Sequence, residues 1–248
     1  MQDSRLYTDF FKSDQANGID YDAFEREIDW RPMTIGGREL CRRGCFQGRP
    51  RRPVESGEEL PQGRPATHGD VPWLRCPSIE EQDILPLTPT VQALMDHINT
   101  YFGVETNIVK IQRYDDGKAF IRAHSDKVLD LAPDVPIFNY RIGATRNLVM
   151  THKVTKERHC VPMPHNSLFV IGPQTNREWL HGIEVEDMDE PSISMIFRQS
   201  VTFKAPDGSL SGPTAHLCAG SNKQLISAYG TENKTVYHSH EEALQAYA

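Results

Sequence analysis

The chain has 248 residues, 38% hydrophobic and 25% charged, with 27 Lys and Arg against 34 Asp and Glu and a formal net charge of −7. That content suits one large domain or two small ones with a substantial core, and it excludes wholesale disorder. The longest apolar stretches, such as Ser167 to Gly172, are strand-sized and far short of the roughly 20 residues of a membrane-spanning helix, so no membrane partner is expected.

Residues 20–30 place Tyr21, Phe24, Ile28 and Trp30 at mixed three and four spacing among acids, which predicts a short amphipathic helix. Residues 31–78 are crowded with Gly, Pro and Arg and lack sustained periodicity, so they are read as a long irregular arm of the kind that forms lids or binding segments. Residues 89–102 open with a proline and carry Val91, Leu94, Met95, Ile98 and Phe102 on one face, predicting a helix on a core. From residue 107 the period becomes two. Strands are predicted over 108–114, over two stretches of 136–151 broken at Gly143, over 166–172, and over 192–203. Residues 205–248 return to Gly, Ser and Pro as a tail, where His216, Cys218, His238 and His240 are read as ordinary polar positions. Helices followed by short strands predict an α+β chain with a jelly-roll or sandwich core.

The N-terminus has neither an export nor an organelle signal, and the five cysteines (Cys41, Cys45, Cys76, Cys160 and Cys218) are scattered and odd in number. Both features suit a reducing compartment and an intracellular location, cytoplasmic or nuclear. Cys41 and Cys45 form half of a zinc spacing without a second pair and are read as thiols. The acidic total argues against whole-surface binding to nucleic acid. Residues 38–64, however, hold seven arginines (38, 42, 43, 49, 51, 52 and 64) against four glutamates, a local +3 on a remainder of −10.

On a strand, His-x-Asp points both side chains to one face, and one more histidine completes a facial triad with open metal positions, as in non-haem Fe(II) oxygenases. Ten histidines and 17 aspartates give about 0.7 such motifs by accident, so context must decide. His68-Gly69-Asp70 lies in the Gly/Pro-rich arm and His240-Glu241-Glu242 in the tail. His124-Ser125-Asp126 follows an alternating segment and precedes more strands. The third ligand could come from His152, His159, His165 or His181; His181, beside Gly182 and just before the last alternating strand, fits best. On that strand Ser192, Ser194, Ile196 and Arg198 share a face, and an arginine turned into a cavity calls for a carboxylate, either a dicarboxylate cosubstrate or Asp126.

Four phrases, RYDDGKAFIRAHSD (113–126), YRIGATRNLVM (140–150), NSLFVIGPQTNREWLHGI (166–183) and ISMIFRQ (193–199), resemble in order and spacing the AlkB-like family of Fe(II)/2-oxoglutarate dioxygenases. The resemblance runs over roughly residues 6–204 and implies a single domain over 1–204, with 31–78 as a substrate lid and 107–204 as a double-stranded β-helix. It implies Fe(II) held by His124, Asp126 and His181, with 2-oxoglutarate and O₂ as cosubstrates. It also implies a cosubstrate pocket of Gln112, Tyr114, Asn139, Arg141, Arg146 and Arg198, where Gln112 stands in place of the family's usual asparagine. The chain departs from the family at Ser192, where the arginine that holds the far carboxylate of 2-oxoglutarate is expected. A serine cannot neutralise a carboxylate. Arg141 is the best substitute, ahead of Arg146 and Lys110.

The resemblance implies hydroxylation of a C–H bond, which on an N-methyl group releases formaldehyde. Two substrate classes compete: a small organic metabolite under a closing lid, or an alkylated DNA or RNA base with Arg42 and Arg43 on phosphates and Trp73 stacked on a flipped base. The acidic body and the rebuilt anchor favour the metabolite as partner. A non-catalytic binding module on the same scaffold is the remaining alternative.

Overall fold

The computed structural model describes residues 1–13, 16–35, 37–51, 70–74 and 83–215. The elements run β1 (Arg5–Tyr7), β2 (Lys12–Ser13), β3 (Ala16–Asn17), α1 (Tyr21–Glu27), β4 (Arg31–Ile35), β5 (Arg38–Gly48), β6 (Val71–Trp73), β7 (Ile84–Pro86) and α2 (Pro89–Phe102). They continue with β8 (Ile108–Tyr114), β9 (Ile121–His124), β10 (Ile137–Gly143), β11 (Arg146–His152), β12 (Arg158–Met163) and β13 (Ser167–Ile171). The last are α3 (Pro173–Glu178), β14 (Trp179–Ile183), β15 (Ser192–Arg198), β16 (Thr202–Lys204) and β17 (Leu210–Ser211). Arg52, Arg64, His68, Cys76, His216, Cys218, His238 and His240 lie outside the described residues.

Three layers result. The large sheet has the order β1-β13-β10-β15-β8-β5-β4, with β7 added to β5 in parallel, and the small one has the order β12-β11-β14-β9. Alternation along each strand sorts the side chains. Val109 and Ile111, Phe138 and Tyr140, Leu168 and Val170, and Met195 and Phe197 meet Val91, Leu94, Met95 and Ile98 of α2 on the outer face of the large sheet. The opposite parity, including Ile108, Tyr114, Phe169 and Ile196, packs against Leu148, Met150, Met163 and Ile183 of the small sheet. This is the expected jelly roll, with α1 and α2 backing the large sheet.

Both predicted helices form, for the reasons their sequences give. Asp20 caps α1 by accepting from the Ala23 N–H at 2.9 Å. Pro89 opens α2, and Gly103 ends it in the left-handed conformation (φ 65°). Gly143, at φ 83°, separates β10 from β11 as the sequence indicates.

The arm needs correction. Residues 31–35 and 38–48 are not irregular: β4 and β5 pair antiparallel, and β5, one strand in from the edge of the large sheet, pairs with β8 along six residues. The inward positions of β5 are Arg42, Gly44 and Phe46, so a polar and an empty position hide the alternation. Gly44 is required there because a Cβ would lie 2.0 Å from the Ile111 carbonyl oxygen of β8. Packing also runs past residue 204, since β17 pairs with β16 and the fully buried Thr214 donates to the Leu129 carbonyl at 3.2 Å.

At the other end, Asp3 caps α3, accepting from the Gln174 N–H at 2.7 Å and from the Thr175 N–H and hydroxyl at 3.1 and 2.6 Å. Leu94 is wholly buried between α2 and the large sheet. Leu94→Ala is expected to lower the unfolding free energy by about 2–5 kcal/mol, read from the urea midpoint at unchanged slope.

Candidate metal centre

β9 and β14 are antiparallel neighbours, and their register sets His124 directly opposite His181. The pairing shifts between His181 and Ile183, where Gly182 passes so close that a Cβ would sit 2.7 Å from the Ile121 carbonyl oxygen. Asp126, two residues beyond His124, is fixed through its main chain: its N–H donates to Asn176 Oδ1 and its carbonyl accepts from Asn176 Nδ2, each at 2.9 Å. The potential ligand atoms of His124, Asp126 and His181 all lie within 4.8 Å of one another, the only such group of three among the described residues. Asp126 Oδ1 is 3.7 Å from His124 Nε2 and 4.0 Å from His181 Nε2.

The protonation pattern suits a cation. His124 Nδ1 lies 2.8 Å from the Arg122 carbonyl, so it carries the proton and leaves the Nε2 lone pair facing Asp126. Burial pushes the His181 imidazole down to about 3, and burial likewise lowers His124. Both rings are therefore neutral near pH 7. Burial alone would raise the Asp126 carboxyl, but the Arg198 guanidinium and then the two imidazoles hold it below the usual carboxylate range. Arg198 reaches Asp126 Oδ2 from Nε at 3.0 Å and Nη2 at 2.6 Å, so one oxygen is occupied and Oδ1 is turned to the histidines. Two neutral imidazoles and one ionised carboxylate, with Asp126 and His181 largely buried and His124 reaching the surface, fit a first-row divalent metal with open positions.

Beside this group the barrel interior is polar and cationic. Gln112, Tyr114, Asn139, Arg141 and Arg146 are all buried. Guanidiniums of Arg42, Arg141 and Arg146 stand 5.9, 5.4 and 5.6 Å from the Tyr114 ring centre. Asn139 Oδ1 accepts from the Ser194 hydroxyl at 2.8 Å. Arg146 is engaged with main chain: it donates to the carbonyls of Asp116, Ala119 and Glu184 at 3.0, 3.0 and 2.8 Å. Arg141 differs. It donates from Nη1 to Ser192 Oγ at 3.0 Å, while its buried Nε and Nη2 have no partner among the described residues.

The three residues expected on substrate are placed elsewhere. Arg42 is buried inside the barrel, donating to Gln112 Oε1 at 3.2 Å and to the Phe120 carbonyl, because position 42 has the inward parity of β5. Arg43 has the outward parity and pairs with Asp115 at 2.9 Å. Trp73 is buried in the inter-sheet core, since β6 pairs with β16, and its carbonyl accepts from the Ser200 hydroxyl at 2.6 Å.

Among the alternative ligands, His152 and His159 lie against Trp179, with His159 on Glu157 at 2.9 Å, and His165 accepts from the Gly143 N–H at 3.2 Å. Cys41 is exposed and Cys45 buried in the helix-side core, its thiol pushed up to about 12 by burial. Asn176, which holds the Asp126 main chain, was invisible in the sequence because a lone Asn in a helix carries no pattern.

Known proteins bear on this geometry. The 2OG-Fe(II) oxygenase superfamily matches over residues 4–204. The DNA oxidative demethylase ALKBH2 of Homo sapiens is 30% identical over 128 residues, covering 48% of this chain and 49% of that protein. Its Mus musculus counterpart is 27% identical, with 48% and 54% covered. The chain thus spans about half the length of these curated relatives. The solved structure of OsALKBH1 aligns with 79% of this chain and 96% of its own at a TM-score of 0.48 and 13% identity. With the family matched across most of its length and a His/Asp/His group set in a jelly roll, the chain belongs to the 2OG-Fe(II) oxygenase superfamily, whose members work with Fe(II), 2-oxoglutarate and O₂, and to its AlkB-like branch.

Proposed function

We propose that this protein is an Fe(II)- and 2-oxoglutarate-dependent dioxygenase that hydroxylates a C–H bond, and that an alkylated nucleic-acid base is its substrate class. The observation that carries the chemistry is the His124/Asp126/His181 group, with one Asp126 oxygen tied to Arg198 and the other left for a cation. His124, Asp126 and His181 would hold the iron, and the buried Tyr114, Gln112 and Asn139 would face the cosubstrate. Bound there, iron, 2-oxoglutarate and O₂ would supply the oxidising chemistry, with succinate and CO₂ as coproducts, and a hydroxylated N-methyl carbon would leave as formaldehyde.

The chain's own contribution is position and dryness. Arg198 keeps Asp126 ionised and fixes which oxygen faces the histidines. The Arg122 carbonyl fixes the His124 tautomer. Arg146 pins the 116–119 loop and the end of β14 together, closing the barrel beside Tyr114. Such positioning costs nothing at the moment of reaction because it is built into the fold.

The nucleobase reading is supported by relatives named as DNA oxidative demethylases. It replaces the preference for a metabolite that the acidic body and the rebuilt anchor suggested. One observation still favours a small molecule: Arg42 is buried, while Arg43 and Arg49 face Asp115 and Asp96, so these three arginines of the basic stretch are already engaged.

Formaldehyde and succinate release decide between the two. Single- and double-stranded oligonucleotides carrying N-methylated bases are expected to turn over, with binding that weakens steeply as salt rises. Succinate formed without any response to such oligonucleotides would favour the small-molecule reading. His181→Ala is expected to abolish both products. Separately, Arg198→Met should weaken Co(II) binding by about 10–100-fold in an absorption titration, as losing the partner that orients a metal-binding carboxylate does.

A further inference from the structure

Resting on the reading as a 2-oxoglutarate enzyme, we infer that Arg141 on β10 has replaced position 192 on β15 as the anchor for the far carboxylate of the cosubstrate. Ser192 is left as the acceptor that aims the guanidinium. Arg141 pairs in register with Ser194, and Ser192 lies opposite Gly143, all on neighbouring antiparallel strands. Both serines and Arg141 have the inward parity of their strands, and the two small hydroxyl side chains leave the space that a longer residue at 192 would take.

Arg141 is fully buried; its Nη1 donates to the Ser192 hydroxyl, and the Tyr114 side chain is its other polar neighbour. The two nitrogens without a partner among the described residues are Nε and Nη2, which share one edge of the guanidinium plane. That edge binds a carboxylate side-on through two parallel N–H···O bonds. Arg198 presents the same pair of atoms, Nε and Nη2, to Asp126. A dry cation with its carboxylate-binding edge open is unfavourable unless an anion arrives. Burial already pulls the Arg141 guanidinium down to about 10.

The other cations of the barrel are engaged. Arg198 is on Asp126, Arg146 on three main-chain carbonyls, Arg42 on Gln112 and the Phe120 carbonyl, and Lys110 lies 5.6 Å from the Phe46 ring centre. The anchor therefore comes from the strand next to the one that the family resemblance indicates. A lone Ser192→Arg change would set two guanidiniums in one pocket.

The test is binding rather than turnover. The full chain is loaded with Mn(II) under argon and titrated calorimetrically with 2-oxoglutarate and with 2-oxopentanoate, which keeps the keto-acid end and carries methyl in place of the far carboxylate. Arg141→Gln is expected to weaken 2-oxoglutarate about 10–100-fold, the scale of losing a charge-assisted pair, while 2-oxopentanoate changes by less than about 3-fold. Arg141→Lys should fall between. The exchange variant, Arg141→Ser with Ser192→Arg, should return 2-oxoglutarate to within about 10-fold of the parent, which also decides the matter if Arg141→Gln does not fold.

Unchanged 2-oxoglutarate affinity in Arg141→Gln would overturn the assignment, as would equal loss of both ligands, which marks a merely structural arginine. An exchange variant that folds and binds Mn(II) but not 2-oxoglutarate overturns it too. If the parent chain binds neither keto acid, the 2-oxoglutarate reading itself falls, and the anchor with it.

Discussion

The pairing of Arg198 with Asp126 is the contact on which the site turns. Both side chains are about nine-tenths buried. A carboxylate in that position would otherwise take up a proton and cease to be a ligand. The guanidinium prevents this from the last strand of the large sheet, while the histidines come from the small sheet. One ion pair therefore ties the two sheets across the barrel and sets the charge of the metal group at once. Breaking such a pair leaves an unmatched buried charge, so its loss is felt in the fold as well as in the chemistry.

A second constraint follows from the first. The protein carries −7 overall, yet the space between its sheets holds the buried Arg42, Arg141 and Arg146 and the side chain of Arg198 beside Asp126. Asp126 balances one of them, and Glu186 stands 3.5 Å from another. The interior is thus of opposite sign to the surface. An acidic exterior repels a small dianion in bulk water, where screening is strong, but the interior attracts it where screening is weak. Net charge described the shell and said nothing of the cavity.

Much of this was legible beforehand, and the failures have common causes. α2 and the strands from Ile108 onward declare themselves because one full face is apolar. β9, β12 and β14 did not, since each is short and broken by polar residues: His124 and His181 meet at the metal group and His159 is exposed beside Glu157, and all three interrupt the pattern that would mark a strand. β5 failed for the same reason, with Arg42 and Gly44 at inward positions. Polar lining is what a binding barrel requires, so the strands nearest the chemistry are the hardest to read by periodicity. The His124/Asp126/His181 group was picked out by motif and order instead. The settings of Trp73, Arg42 and Arg43 were not legible because composition reveals that a segment is basic or aromatic but not which face a strand gives each residue.

The cap that Asp3 places on α3 reaches further than its own helix. α3 supplies Asn176, and Asn176 holds the backbone of Asp126 from both sides. β1, immediately after Asp3, pairs with β13, whose residues lie more than 160 positions later. During synthesis the beginning of the chain must wait for residues 167–178 to emerge before either end of this linkage can close. Asp126 therefore acquires its final seating only after residues 167–178 have left the ribosome, so a nascent chain that stops short of them holds no finished His/Asp/His group.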